Sequence, residues 1–425
     1  MNNQYQHLFT PIQIGNTTIK NRIFMPPLST NLADKGYVTD ALVKHYEARA
    51  KGGVGLIVTE VTTVEPTYTY LPGDMSIYDD SYIPGWKKLV DAVHRYDTKI
   101  LSQLFHPAYM AFPIPGTPQL IAPSNVGPYY AKSAPREVTK EELKVLVKQF
   151  GEAALRFKKA GGDGVEIQAA HAHGLLGGFL TPLYNKRTDE FGGSVENRTR
   201  FAILVLKAVR EAVGPMFPIS FRFSAEELVE GGNTLEDSLE MLEYLQEDAD
   251  ILNVSAALND SLQYQIDANY LEDGWRSYMA KAVKEKYPEK VVITSGNIRN
   301  PKIAERIIEE GHADMVAIGR GLIAEPQWVN KVKSGREDEL RKCISCNIAC
   351  SGHRIGLNRP VRCTVNPSVI FGDTHKELKV NKATNVVVIG GGTAGLEAAC
   401  TAAEVGCTTF LFEAKPYLGG LAREI

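Results

Sequence analysis

Gln168, His171 and His173 stand directly past a short apolar run at 164–167. The run reads as a buried parallel strand. A glycine-rich loop follows, and then Asn185, Lys186, Arg187, Asp189, Gly192, Gly193, Glu196, Asn197, Arg198 and Arg200 crowd into sixteen residues. Residues 201–213 take helical spacing after them. Polar groups just past the C-terminal end of a strand, before a helix, have the layout of an active site in a (β/α) barrel. The small residues around the two histidines favour room for a ligand over a packed core.

Two further constellations lie late in the chain. Cys343, Cys346, Cys350 and Cys363 gather beside Gly352, Gly356 and Pro360. Four soft ligands in so short a stretch suit either a tetrahedral S4 zinc or a cubane iron–sulfur cluster, and spacing alone does not separate the two. All six cysteines fall in the last hundred residues, four of them together. That argues against a disulfide framework and for a metal site in a reducing compartment. The other constellation has a strand at 385–389, a glycine-rich turn, a helix at 396–405, and a strand at 408–412 that ends at Glu413. This is a βαβ dinucleotide fingerprint. Gly390, Gly392 and Gly395 permit the turn and the approach of a pyrophosphate, and the acid takes a ribose hydroxyl. Cys400 and Cys407 read as packing residues of that unit.

The elements that must position these groups alternate. Strand candidates are 22–25, 55–59, 99–104, 164–167, 219–222, 251–254, 291–294 and 315–318. Helix candidates are 40–51, 84–96, 140–160, 201–213, 234–247, 274–286, 301–310 and 326–333. Eight of each fit a TIM (β/α)8 barrel, with a doubly wound open sheet as competitor. Thr139 and Glu142 form a candidate capping box, and Pro301 and Pro326 sit at helix starts. Residues 108–135, rich in proline and poor in periodicity, read as a long loop over the barrel mouth.

In a barrel the strand C-termini converge. Those ends carry Pro26, Leu28 and Ser29; Gln103 and His106; Arg222; Ser295, Gly296 and Asn297; and Gly319 and Arg320. Glycine beside serine and arginine after the last two strands is what a phosphate site needs, because backbone N–H groups must approach closely and a guanidinium holds two oxygens.

Composition sets limits. The chain has 425 residues, 44% hydrophobic and 23% charged, with a net charge of −3. This fits a globular protein of two or three domains and favours neither nucleic acid nor an anionic membrane as partner. No signal peptide is evident at the N-terminus and no apolar run nears about 20 residues, so a cytoplasmic location is expected.

The stretch NKRTDEFGGSVENRTRF resembles the segment after the fourth barrel strand of the old yellow enzyme family of flavoproteins. Leu8–Ile12 with Lys20-Asn21-Arg22-Ile23, and His45–Ala50 with Gly53–Val58, resemble that family's opening and its second strand. The Cys-x2-Cys-Asn-x3-Cys pattern with Cys363-Thr-Val-Asn366-Pro367 resembles the [4Fe–4S] segment of the longer branch, which includes 2,4-dienoyl-CoA reductase and 2-enoate reductase. Tyr417-Leu-Gly-Gly420 resembles the segment just past the fingerprint in FAD-binding relatives. The resemblance covers essentially the whole chain. It implies an FMN barrel over 1–338, a [4Fe–4S] segment over 339–372, a linker over 373–384, and the start of a Rossmann-like FAD/NAD(P)-binding unit over 385–425.

The resemblance also implies roles. Pro26, Leu28 and Ser29 meet the flavin ring edge, Gln103 its pyrimidine, and Arg222 its N1 and O2 side, where reduced flavin carries negative charge. His171, with Gln168 three residues earlier, donates to a substrate carbonyl oxygen. The family's proton-donating tyrosine falls on Gly174 and a further histidine near Asn259, so the donor is left among His173, Tyr109, Tyr184, Tyr264 and solvent. His173, with an ordinary pKa of about 6.5, is the nearest replacement. If His173 is the donor, a tyrosine restored at Gly174 is expected to rescue part of its loss. Tyr109 and Phe112, with Pro113 and Pro115, favour a bulky apolar substrate.

The reading is an ene-reductase that transfers hydride from FMN to an activated C=C, with electrons relayed from NAD(P)H through FAD and the cluster in the complete enzyme. Its partner is a small unsaturated molecule, and homo-oligomerisation is left open. An amine dehydrogenase of the trimethylamine dehydrogenase type, which needs an aromatic cage, is one rival. A non-catalytic electron-transfer or assembly protein is the other. With little more than one βαβ unit after the linker, the sequence is read as a piece of a longer enzyme.

Overall fold

The computed structural model describes residues 3–112, 116–128, 133–370 and 378–423, and in it the apolar runs pair edge to edge. The barrel strands are β1 (Ile23–Met25), β2 (Leu56–Thr63), β3 (Lys99–Phe105), β4 (Gly164–Gln168), β5 (Ile219–Ser224), β6 (Ile251–Ser255), β7 (Val291–Thr294) and β8 (Met315–Ala317). Each pairs in parallel with its sequence neighbour. β8 returns to β1 through Val316–Ile23, and β1 meets β2 through Phe24–Leu56, so the sheet closes. Closure excludes the doubly wound alternative, which keeps two free edges.

The alternating helices are α1 (Asp40–Lys51), α2 (Ile83–His94), α3 (Lys140–Lys159), α4 (Val195–Val213), α5 (Leu235–Leu245), α6 (Ser277–Lys286), α7 (Pro301–Glu309) and α8 (Trp328–Lys333). The Thr139–Glu142 capping box is made in both directions. Asn300 caps α7 ahead of Pro301, but α8 begins two residues after Pro326. Ser194 accepts from the Asn197 N–H and starts α4 six residues before 201. Glu196, Asn197, Arg198 and Arg200 are therefore helical and not part of a loop.

The two ends of the barrel differ in chemistry. An antiparallel hairpin, Ile12–Ile14 with Thr17–Ile19, plugs the N-terminal end. Its Ile14 and Ile19 pack with Phe24, Leu56, Leu101, Ile251, Ile293 and Met315. Two residues further along β3 the interior turns polar, since Gln103 is in register with Glu166 where Leu101 faces Gly164. Glu166 is fully buried and accepts from Gln103 Nε2 at 2.9 Å, Ser220 Oγ at 2.8 Å and Asn253 Nδ2 at 2.7 Å. The apolar floor closes the bottom, and the charged layer points function to the C-terminal mouth.

The chain divides into two compact units, Met1–Ile370 and Phe371–Ile425. The cysteine-bearing stretch belongs to the first. Asn366 Nδ2 donates to the Ile323 carbonyl at 2.8 Å, and Val361 N to the Thr30 carbonyl at 2.8 Å. Val361, Val369 and Ile370 pack on Ile323. The second unit is β9 (Asn385–Ile389), α9 (Thr393–Glu404) and β10 (Thr408–Phe412), with the two strands parallel. Its helix starts at Thr393, three residues before the expected 396. One strand face lies bare, with Ile389 87% and Phe412 59% exposed; parallel sheets are ordinarily covered on both faces. Pro113, Pro115 and linker residues 371–377 lie outside the described residues.

Candidate active site

The C-terminal ends of β1, β5, β7 and β8 open into one cleft of about 880 Å³. All the barrel residues expected to hold a cofactor line it except Gln103. They are Pro26, Leu28 and Ser29 past β1, Arg222 on β5, Ser295, Gly296 and Asn297 past β7, and Gly319 and Arg320 past β8. Gly296 has φ 126°, a conformation that side chains disfavour, and its ideal Cβ would sit 3.1 Å from the Arg276 side chain. Arg320 is held by Asn297 Oδ1 at 3.0 Å and by Asn347 Oδ1, and Ser345 Oγ donates to Asn297 Oδ1 at 2.7 Å. Asn347 and Ser345 come from the cysteine stretch, a contribution nothing local in the sequence marked. Gln103 lies deeper, buried against Glu166.

Past β4 the backbone turns through left-handed conformations at His171 (φ 66°) and Ala172 (φ 50°). The buried imidazole of His171 has Nδ1 3.0 Å from the Ala257 carbonyl, which places its proton there. Nε2 then accepts, with Ser255 Oγ at 3.1 Å and Arg222 Nη2 at 3.3 Å. Burial first, and then the charge of Arg222, hold its pKa well below the ordinary value. His171 is therefore neutral and faces Arg222 with a lone pair. This differs from the expected N–H aimed at a substrate oxygen: the cleft-side donor is Arg222. Gln168 is buried beside Gln103 Nε2 at 3.4 Å and does not line the cleft.

His173 Nε2 stands 2.9 Å from Asn259 Oδ1 and 3.1 Å from Gln265 Nε2. Asn259, expected near the position of a further histidine, thus meets the first candidate proton donor. Burial lowers the His173 pKa to about 4, so the expected titration near neutrality does not hold. Gly174 has no room for a tyrosine: its φ is 64° and a Cβ would stand 2.1 Å from the His106 carbonyl oxygen. The expected rescue by a tyrosine there is overturned by that contact. Tyr109 is fully buried and donates to the Ala172 carbonyl, supporting the turn from beneath. It is a positioning residue and not a wall of the cleft. Tyr184 donates to Asp260. The half-buried Tyr70 has its ring 6.4 Å from that of His173, an aromatic neighbour that sequence reasoning missed.

The conspicuous NKRTDEFGGSVENRTRF stretch is scaffolding. Asn185 Nδ2 donates to the Phe179 and Phe191 carbonyls, both at 2.8 Å. Arg187 pairs with Asp189 at 2.7 Å and donates to the Pro123 and Val138 carbonyls. Arg198 donates to the Leu180 and Gly193 carbonyls. These bonds fix the loop after β4 and, through Pro123 and Val138, the long loop beside it.

Other groups at the mouth were also missed. β2 runs to Thr63, not 59, and so carries Glu60. Glu60 is buried and accepts from both the N–H and the hydroxyl of Thr30. Asp74 is buried nearby, beside Ser29 and Leu71. Burial, and then the neighbouring Asp74, raise Glu60; burial pushes Asp74 up to about 7. Arg354, from the cysteine stretch, is among the residues that line the cleft, as is Ser29.

Cys343, Cys346, Cys350 and Cys363 line one smaller cavity of about 300 Å³ with Asn347 and Thr364. Among the described residues no group of His, Cys, Asp or Glu is arranged around a single metal ion. No described cysteine forms a disulfide. Burial raises the Cys350 and Cys363 thiols, which favours their protonated form in the absence of a cation. In the second unit Gly390 has φ 100°, and a Cβ on Gly395 would collide with the Gly390 carbonyl. Glu413 accepts from Lys415 N at 2.8 Å and Gly391 N at 2.6 Å, bonds that lower its pKa. No described helix is long and apolar enough to cross a membrane.

Comparison with known proteins matches this geometry. Residues 7–339 match the NADH:flavin oxidoreductase / NADH oxidase family, and residues 385–424 match FAD dependent oxidoreductases. An NADH oxidase from Thermoanaerobacter brockii is 45% identical over 98% of this chain, which spans 64% of that protein. Among solved structures, a 2-naphthoyl-CoA reductase superposes with TM-score 0.91 at 29% identity, covering 98% of this chain and 66% of its own. A histamine dehydrogenase from Rhizobium sp. 4-9 superposes with TM-score 0.89 at 29% identity, covering 99% and 62%.

Proposed function

The chain belongs to the NADH:flavin oxidoreductase / NADH oxidase family, and from that premise we propose that it reduces an activated C=C bond with FMN held in the barrel cleft. FMN supplies hydride to the electron-poor carbon of such a bond. Ser295, Gly296, Asn297, Gly319 and Arg320 would hold its phosphate, with two glycines allowing backbone approach and one guanidinium fixed from two sides. Pro26, Leu28 and Ser29 would meet the ring edge.

The observation that carries the reading is the Arg222–His171–Ser255 group beside this cleft. Arg222 is a fixed cation, with Glu166 below it as counter-charge. Such a group stabilises negative charge that develops beside it. The neutral His171 orients Arg222 without competing as a cation. His173, held by Asn259 and facing Tyr70, is the nearest group able to pass a proton to the product carbon; with a pKa of about 4 it is unprotonated near neutrality, so it would relay a proton taken from solvent and end the step as neutral imidazole again.

The finer reading adds a [4Fe–4S] cluster on the cysteine quartet and FAD on the second unit's glycine turn, groups that carry reducing equivalents from NAD(P)H. Four cysteines lining one cavity support the quartet as the ligands of that cluster. The amine-dehydrogenase rival lacks support in the cleft: no aromatic side chain is among its described lining residues, while five arginines are. A panel of enones, enoates, enoyl thioesters and amines, offered to the FMN-loaded protein with reduced viologen or oxidised acceptor, tests the proposal. Alkene reduction without amine oxidation is expected; the reverse would refute it.

A further inference from the structure

Two cavities of the first unit share a wall, and Arg320 stands in it. Its side chain lines the cleft and also the smaller cavity of the four cysteines, as do Cys343 and Cys350. Arg320 starts just past β8, but other segments hold its guanidinium. Nη1 donates to the Asp267 carbonyl and to Asn347 Oδ1, and Nη2 donates to Asn297 Oδ1 at 3.0 Å. The Nε–H and the second Nη2–H are left for an anion.

Two of the partners come from between the cysteines. Ser345 stands between Cys343 and Cys346, and Asn347 between Cys346 and Cys350. Asn347 Nδ2 donates to the Ile266 carbonyl at 3.1 Å and to the Asp267 carbonyl at 3.3 Å. Those carbonyls fix which amide atom is the nitrogen, so the amide oxygen faces Arg320. Ser345 is buried. Its hydroxyl donates to Asn297 Oδ1 at 2.7 Å and accepts from Arg299 Nη1 at 3.1 Å. The cysteine loop thus holds both Arg320 and Asn297, which line the cleft past the last two strands.

A hydrogen-bonded bridge of this kind carries free energy in both directions. Thiolates drawn onto a metal fix the loop, and a fixed loop fixes the guanidinium. A guanidinium already in place binds phosphate without the cost of ordering it. We infer that Asn347 and Ser345 are positioning residues that couple the two sites. Metal on the cysteines tightens binding of a phosphate monoester in the cleft, and the phosphate in turn steadies the metal. This rests on the FMN and cluster reading above and adds a linkage between the two groups.

The test needs no turnover. Iron-loaded protein is freed of flavin, and half of it is stripped of iron with a chelator, all without oxygen. Both forms are titrated, by quenching of flavin fluorescence, with FMN and with riboflavin, which has the same ring and no phosphate. In wild type the advantage of FMN over riboflavin should be about tenfold greater with iron than without, within the range of coupled sites. Asn347→Gly removes the amide and leaves a residue at ease with the φ of 57° found there. With iron bound, this variant should show only the advantage of stripped wild type. An advantage equal in the two wild-type forms would overturn the inference, since iron would then firm the barrel without acting on the phosphate. An iron-loaded Asn347→Gly that keeps the full advantage would overturn it too. If that variant retains no iron, the wild-type comparison decides alone. Failure of either outcome with FMN and iron both bound leaves the cofactor reading standing. If wild type takes up no iron or no FMN, the reading fails and the inference falls with it.

Discussion

Arg222 Nη2 lies 3.3 Å from His171 Nε2, and the single imidazole N–H, on Nδ1, donates to the Ala257 carbonyl at 3.0 Å. The pair is thus a cation and a neutral acceptor, with the cation presented to the cleft. Replacing His171 by alanine should lower turnover by releasing Arg222, with the loss falling on kcat. Losing a fixed donor to developing charge costs on the order of 3 kcal/mol, about a hundredfold. Arg222→Lys, which keeps the charge but not the fork, should lose a comparable factor. Steady-state kinetics of both variants checks this; a change confined to KM would refute it.

Neither histidine should titrate between pH 5.5 and 8. For His173, with a folded pKa of about 4 against 6.5 unfolded, the unfolded chain binds more protons between those values. Stability is therefore full above pH 6.5 and falls as pH drops toward 4, by on the order of 2 kcal/mol given partial solvent access. Urea midpoints of wild type and His173→Gln across that window should converge at low pH.

Gly174→Ala should destabilise the barrel unit by about 2–4 kcal/mol, because a left-handed φ and a 2.1 Å approach to the His106 carbonyl oppose any Cβ. Thermal unfolding measures it. Wild-type stability would show that the turn adapts.

Glu166→Ala should cost about 3–5 kcal/mol, since Gln103, Ser220 and Asn253 lose a common acceptor and Arg222 its counter-charge. Glu166→Gln should cost less. Urea unfolding of the two variants separates lost hydrogen bonds from lost charge.

Each of Cys343, Cys346, Cys350 and Cys363 replaced by serine should lower bound iron from the four per chain of a cubane cluster, while Cys400→Ser and Cys407→Ser should not. Metal analysis of anaerobically purified protein decides, and zinc would overturn the cluster.

The fold was legible because apolar runs and helical periods alternate eight times and glycine and proline punctuate them. The cleft wall past the last two strands was legible for the same reason: Ser295–Asn297 and Gly319-Arg320 line the cleft at the strand ends where they stand in sequence. The surroundings of His173 were not. Arg354, Glu60, Asp74 and Tyr70 meet from segments far apart in the chain, and no local spacing encodes that meeting. The NKRTDEFGGSVENRTRF stretch misled in the other direction. Its charges fix loops through backbone carbonyls, a role that composition alone does not separate from catalysis. His171 and Tyr109 were placed in the right region with the wrong orientation, because carbonyl partners such as Ala257 and Ala172 are invisible in sequence.

The central claim is tested most directly by a single turnover. The FMN-loaded protein is reduced anaerobically with one equivalent of dithionite and mixed with one equivalent of an activated alkene in a stopped-flow cell. The account predicts that oxidised-flavin absorbance returns in one phase and that one equivalent of saturated product is recovered. Flavin that stays reduced while the alkene is recovered unchanged would contradict it.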